Sequence, residues 1–159
     1  MASKVYFTVT GISKWAVING LWAAIRHKDF LPDKVVIIVT SGHENDAGEI
    51  MGWMDTLLKS RGKEAEISKV NLQEDNFAAV GKKISRLIEE EKSSGNEVAL
   101  DITPGRKAIV SSAILAAREK EADHVFYLYI ENLRNAARPY PMIPFHLQHF
   151  VDLQKEVWS

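Results

Sequence analysis

Seven consecutive residues, Asp101-Ile102-Thr103-Pro104-Gly105-Arg106-Lys107, bring together an acid, a hydroxyl, a proline, a glycine and two adjacent cations. The apolar run EVAL leads into them, and a helical pattern of small residues follows. They therefore stand at the seam between a strand and a helix. A helix start presents free backbone N–H groups at the positive end of its dipole, which makes it a ready anion site. In that setting Gly105 lets backbone come close to a ligand, Lys107 supplies a mobile point charge and Arg106 a planar fork. Asp101 and Thr103 are placed to hydrogen-bond either the turn or a ligand hydroxyl. The structural alternative has Thr103 capping the helix, Pro104 at its first position and both cations solvated. That accounts for Thr103 and Pro104 but not for Lys107. A cation in the first helical turn opposes the dipole by about 0.3–1 kcal/mol, and a bound phosphate would reverse the sign. The spacing is not that of a Walker A loop, and the glycines after the first strand are too far apart for a dinucleotide fingerprint.

Other residues carry weaker signals. His43 and Glu44 lie in a polar loop after the second apolar run, where they would contact a base or ribose or simply be solvated. His146 and His149 have the spacing of two metal ligands but no evident third, so no metal site is expected. Arg134 and Arg138 flank the loop after the last apolar run, either over a ligand or in solvent. Trp15 and Trp22 sit on an apolar helical face and read as core or interface. Ala108, Ser111, Ser112, Ala113, Ala116 and Ala117 suit close packing, against a partner subunit or against the sheet.

The elements that must position these groups alternate regularly. KVYFTVT (Lys4–Thr10) is β-branched and aromatic, a strand. Trp15, Ile18, Trp22 and Ile25 recur at helical spacing behind Ser13, a plausible N-cap. Asp33–Thr40 is a continuous apolar run, as in a strand covered on both faces. A helix follows over Ala47–Ser60, a weaker strand over Ala65–Leu72, a helix over Asn76–Lys92, a strand in EVALDIT, a helix over Lys107–Lys120 and a fifth strand over Asp123–Ile130. This alternation predicts an α/β, Rossmann-like, mostly parallel sheet of five or six strands with helices on both faces. In such sheets ligands bind at the edge where strand order reverses. Three prolines in six residues exclude a long helix in the tail, which reads as an edge segment packed on the body, with His146–Val157 as a final short helix.

Composition narrows the function classes. The 159 residues suit one domain, and 46% apolar with 26% charged residues marks a globular chain. A net charge of −1 argues against a broad basic surface, so duplex nucleic acid is not an expected partner. There is no cysteine, hence no disulfide, thiolate zinc site or cysteine nucleophile. No uncharged segment approaches the roughly 20 residues of a membrane helix, and the start is unlike a signal peptide. A cytoplasmic protein with no cofactor is expected.

The pattern Asp/Asn-x-Ser/Thr-x-x-x-Arg/Lys after the fourth core strand resembles the signature of the CRISPR-associated Rossmann fold, or CARF, domains. Asp101, Thr103 and Lys107 match it position by position, and the first-strand loop Thr10-Gly11-Ile12-Ser13 resembles the family's other ligand-contacting loop. The resemblance implies a single CARF-like domain over residues 1–159, forming a homodimer that binds cyclic oligoadenylate messengers of type III CRISPR immunity across its two-fold axis. Ligand contacts would then come from Thr10, Gly11, Ile12, Asp101, Thr103, Pro104, Gly105 and Arg106, with His43 nearby. Some small family members are metal-independent ring nucleases that use a first-loop Ser and the motif Lys; Ser13 and Lys107 are the matching positions. The expected activity is slow cleavage of a cyclic oligoadenylate, with the tetra-adenylate ring favoured, through attack of a ribose 2′-OH on its own phosphate. A non-catalytic sensor acting through a separate partner, and a generic α/β nucleotide-binding protein, stay open beside it.

Overall fold

The computed structural model describes residues 2–11, 13–73 and 76–157. Strands β1 (Lys4–Val9), β2 (Lys34–Thr40), β3 (Glu66–Leu72), β4 (Glu97–Asp101) and β5 (His124–Ile130) alternate with helices α1 (Lys14–Lys28), α2 (Ala47–Ser60), α3 (Phe77–Ser93) and α4 (Lys107–Glu119). A short helix α5 (Leu133–Ala136), a sixth strand β6 (Gln148–Asp152) and a final turn of helix α6 (Leu153–Glu156) complete the chain. The sheet order is β3-β2-β1-β4-β5-β6. Neighbouring strands from β3 to β5 are parallel, and β6 runs antiparallel to β5.

The apolar runs predicted to be covered on both faces are so covered. On one face, Tyr6, Ile37 and Val39 pack with Val17, Leu21 and Ala24 of α1 and with Ile50, Met54 and Leu58 of α2. On the other, Phe7, Val36, Ile38, Val98 and Leu100 meet Ile84 and Ile88 of α3 and Ile109 and Ala117 of α4. Each such Val, Leu, Ile or Phe contributes about 1.5–3 kcal/mol when fully buried. The small residues of α4 serve this intramolecular packing: Ala113, Ala116 and Ala117 are buried in the core, and a Cβ added at Gly81 of α3 would come within 3.4 Å of Ser112. Trp15 stacks on Trp53 at 4.5 Å and Trp22 on Tyr140 at 5.7 Å, so both are packing residues.

The tail does pack as an edge segment, but the final helix expected over His146–Val157 is for the most part a strand. Residues 145–147 form a 3-10 turn, β6 pairs with the open edge of β5, and only Leu153–Glu156 is helical. The free N–H and C=O groups along β5 supply the partner that tail periodicity alone does not reveal. Asp152 anchors the strand by accepting from Val125 N–H (3.0 Å), and its Oδ2 lies 2.7 Å from His124 Nδ1. Among the described residues, no helix is long and apolar enough to cross a membrane.

Candidate anion-binding site

Strand order reverses between β1 and β4, which lie side by side with Thr8 opposite Asp101. The chain leaves β1 toward α1 on one face and β4 toward α4 on the other. The two loops, some ninety residues apart in sequence, thus meet at one edge. Their contact is intimate. A Cβ at Gly11 would stand 1.6 Å from the Pro104 carbonyl oxygen, so only glycine fits there.

Below this contact lies a buried polar hub. Asp101 is fully enclosed, and both its carboxylate oxygens are engaged by the protein. Oδ2 accepts from Tyr6 Oη (2.8 Å) and Thr8 Oγ1 (3.4 Å); Oδ1 accepts from Thr103 N–H (3.0 Å) and Thr103 Oγ1 (2.6 Å). The Thr103 hydroxyl in turn accepts from Leu128 N–H (3.0 Å), which ties the turn to β5. Burial pushes the Asp101 carboxyl up to about 6, against the opposing hydrogen bonds from Thr103, Tyr6 and Thr8. The Tyr6 phenol is likewise raised well above its ordinary value, by burial first and by Asp101 second. Helix α1 presses on this hub so closely that a Cβ at Gly20 would stand 2.1 Å from Asp101 Oδ2.

Several of the expected ligand contacts hold the two loops together. Asp101 and Thr103 hold the turn, because an enclosed carboxylate needs every donor the turn can supply. Thr103 does not cap α4, and Pro104 does not open it. The helix begins at Lys107 behind Arg106, whose side chain makes no capping bond. Thr10 is buried, its Oγ1 accepting from Thr40 N–H (3.0 Å) and lying 3.0 Å from Thr40 Oγ1, so it ties β1 to β2. Pro104 is buried against Gly11, and the smallness of Gly105 makes room for its own chain, since a Cβ there would meet Val9 and Val110 at 2.7 and 2.8 Å.

What remains at the surface of this edge is cationic and dipolar. Lys107 is the first residue of α4 and is exposed, as is Arg106. Among the described residues, the N-cap side chain gives the first N–H groups of α4 no hydrogen bond, so it leaves the positive end of the dipole uncapped. Ser13 caps α1, its Oγ accepting from Ala16 N–H at 3.3 Å, as the sequence predicts. Its own O–H remains a potential donor. His43, in the loop after β2, is half-buried; its Nε2 has no hydrogen-bond partner among the described residues. Ile12 lies outside the described residues. Arg134 and Arg138 are exposed in the loop after β5, and His146 and His149 are exposed on the tail. Among the described residues, no group of three or more metal-ligating side chains comes together. A concavity of about 500 Å³ between α3 and α4 shares no residue with the two loops.

Sequence reasoning missed Tyr6, Thr8 and Gly20. Tyr6 and Thr8 alternate on one face of β1, a readable period, but their partner on β4 is not local. A glycine inside α1 costs about 1 kcal/mol relative to alanine, and that cost was itself a sign of close approach.

No family model matches the chain, and no curated protein does. Solved structures do. Enterococcus italicus Csm6 bound to cyclic hexa-2′-fluoro-hexa-dAMP superposes with a TM-score of 0.61 at 18% identity, over 79% of this chain and 33% of that one. Can2 from Sulfobacillus thermosulfidooxidans in complex with cyclic tetra-adenylate gives 0.57 at 14%, over 78% and 31%. The chain has a CARF-like fold. Protein VC1899 from Vibrio cholerae gives 0.60 at 16% identity, over 78% of this chain and 30% of that one. The CARF-like chain thus spans about a third of the length of each of these proteins, and at these identities the likeness is one of fold.

Proposed function

We propose that the chain binds a cyclic oligoadenylate at the β1–β4 edge, in a pocket shared by two copies, and cleaves it slowly as a metal-independent ring nuclease. The observation that carries this reading is the uncapped N-terminus of α4 with Lys107 in its first turn, set where strand order reverses. Without an anion that arrangement is unfavourable; with a phosphate it becomes a charge-assisted site. Can2 and Csm6, which share the fold, are both in complex with cyclic ligands, and this supports the ligand class. A two-fold-symmetric ring suits a two-fold pair of sites.

In the proposed reaction a ribose 2′-O attacks the adjacent phosphorus, the bond to the 5′-oxygen breaks, and the products are a 2′,3′-cyclic phosphate and a 5′-hydroxyl. The 2′ proton leaves to solvent and the 5′-oxygen takes one up. Lys107 and the α4 N–H groups neutralise charge on the phosphate, while the Ser13 hydroxyl orients the 2′-OH. Asp101 is the sole carboxylate in the two loops and is enclosed by its own donors, so neither loop offers a carboxylate base and turnover is slow. That same observation favours a second reading, a sensor that binds the ring without cutting it.

Incubating the protein with labelled cyclic tetra- and hexa-adenylate, with and without chelator, and analysing products tests both. Chelator-resistant conversion to linear products with cyclic-phosphate ends is expected. Binding without conversion selects the sensor, and absence of binding refutes both readings.

A further inference from the structure

Trp15, Trp22 and Trp53, three of the chain's four tryptophans, line one groove between α1 and α2, with Ile18, Thr56 and Leu57 between them. The groove measures about 410 Å³. Stacking fixes the rings without enclosing them: Trp15 lies on Trp53 and Trp22 on Tyr140, yet all three tryptophans are half-buried. At Trp22 the groove runs into a second concavity of about 490 Å³, where Ile25 and Leu31 continue the apolar lining and the exposed Arg26 and Arg61 join it. From Trp15 to Ile25 the helix rises about 15 Å, close to three turns. Beyond Arg26 the surface stays apolar. Its guanidinium lies 4.8 Å from the centre of the Phe145 ring, and Phe145 and Met142 are 58% and 60% exposed.

Charge is unevenly matched along this face. Lys14, which lies over the Trp53 ring, pairs with Glu49 at 3.0 Å, and Lys59 pairs with Asp55 at 2.9 Å. The cations beside the tryptophans are thus neutralised. Arg26 and Arg61 make no ion pair among the described residues, and one carboxylate, Asp29, shares their recess. That end of the groove is left net positive. Tryptophan and arginine are the residues that carry most binding energy at protein interfaces, and rings already held by stacking lose little freedom when covered.

We propose that this α1–α2 face docks an acidic amphipathic helix of another protein, with its apolar side chains on the three tryptophans and its carboxylates at Arg26 and Arg61. A groove three turns long suits anchors at i, i+3, i+4 and i+7. An anionic lipid surface fits less well, because Glu49 and Asp55 stand beside the tryptophans. A second copy fits less well too: among the described residues, the long helices expose one large apolar side chain on α3, Phe77, and one on α4, Leu115. The inference is independent of the ligand reading, since the groove shares no residue with Asp101–Lys107.

Selection of displayed random peptides of about 16 residues, some four helical turns, on the wild-type protein tests it. The enriched peptides are expected to carry apolar residues at helical spacing and Asp or Glu toward one end. Arg61→Glu and Thr56→Arg, both at exposed positions, should each weaken the best such peptide by about tenfold or more. Lys82→Glu, exposed on the α3 side of the sheet, should leave its affinity unchanged. Enrichment of no common pattern, or of apolar peptides without acids, overturns the inference. So does a peptide indifferent to Arg61→Glu or Thr56→Arg, or one weakened equally by Lys82→Glu. A dimer of the free protein that Thr56→Arg dissociates in light scattering would make a second copy the occupant. Sedimentation with phosphatidylserine vesicles that Thr56→Arg abolishes would make it a lipid surface. Either result overturns the helix proposal.

Discussion

At the scale of single residues, Lys107 and Asp101 divide the motif between them. Lys107 is exposed at the positive end of α4 and makes no capping contribution. Lys107→Ala should therefore leave the protein as stable or more stable, by up to about 1 kcal/mol, while weakening cyclic tetra-adenylate binding by about 1.5–3 kcal/mol, the value of a charged hydrogen bond. Thermal melts and titration of one preparation read both; a parallel loss of the two would make Lys107 a structural residue. Asp101 behaves in the opposite way. Burial raises its carboxyl from 3.8 to about 6, so the folded state holds the proton more tightly than the unfolded state does. That contribution is full below pH 3.8 and is lost as pH rises through about 6. Asp101→Asn keeps an acceptor for Thr103 and lets the Tyr6 and Thr8 hydroxyls turn to accept. Relative to this variant, the wild-type protein should lose about 2–3 kcal/mol of stability between pH 4 and pH 7, at about 1.4 kcal/mol per pK unit. Denaturant titrations across that range check it, and parallel pH curves would mean that Asp101 is not the enclosed acid described here.

At the scale of elements, the same hub decides how closely α1 can approach the sheet. Helix propensity alone predicts that Gly20→Ala stabilises α1 by about 1 kcal/mol. The added Cβ would stand 2.1 Å from Asp101 Oδ2, so α1 or the carboxylate must move. The expected outcome in chemical denaturation is a loss of about 1–3 kcal/mol, as for overpacking; a gain would show that the hub yields easily. Strand β6 depends on a second carboxylate. Burial raises the Asp152 carboxyl, but hydrogen bonds from His124 and from the Val125 and Gln154 N–H groups outweigh it and hold it below its ordinary value. Its contribution is present above the ordinary carboxylate range and is lost as pH falls through its folded value. On acidification, amide exchange should rise in β6 before it rises in the parallel strands β1, β2 and β4. Uniform loss of protection would mean that β6 unfolds with the rest.

At the scale of the whole molecule, the open α4 terminus and the ligand class proposed for it imply a pair of sites. Light scattering with cyclic tetra-adenylate present should give twice the 17.9 kDa chain mass. A monomer with and without the ring would refute the shared pocket, though not phosphate binding by one copy.

The sequence by itself determined the parallel α/β architecture. Strands such as β2 (KVVIIVT) are buried on both faces and must be apolar throughout, and α2 begins and ends where its periodicity does. It also determined the cap at Ser13 and the cation at the start of α4, because caps and helix ends are read from adjacent residues. Tertiary structure alone decided the rest. Whether Asp101 and Thr103 face a ligand or the interior depends on Tyr6, Thr8 and Leu128, which reach the turn from neighbouring strands. Likewise, β6 is a strand because β5 leaves an edge unpaired, and Gly11 is needed because Pro104 arrives from the other side of the strand crossing. Local patterns fix what a segment is when its own backbone satisfies its hydrogen bonds; where the partner comes from a distant element, the pairing has no local trace to read.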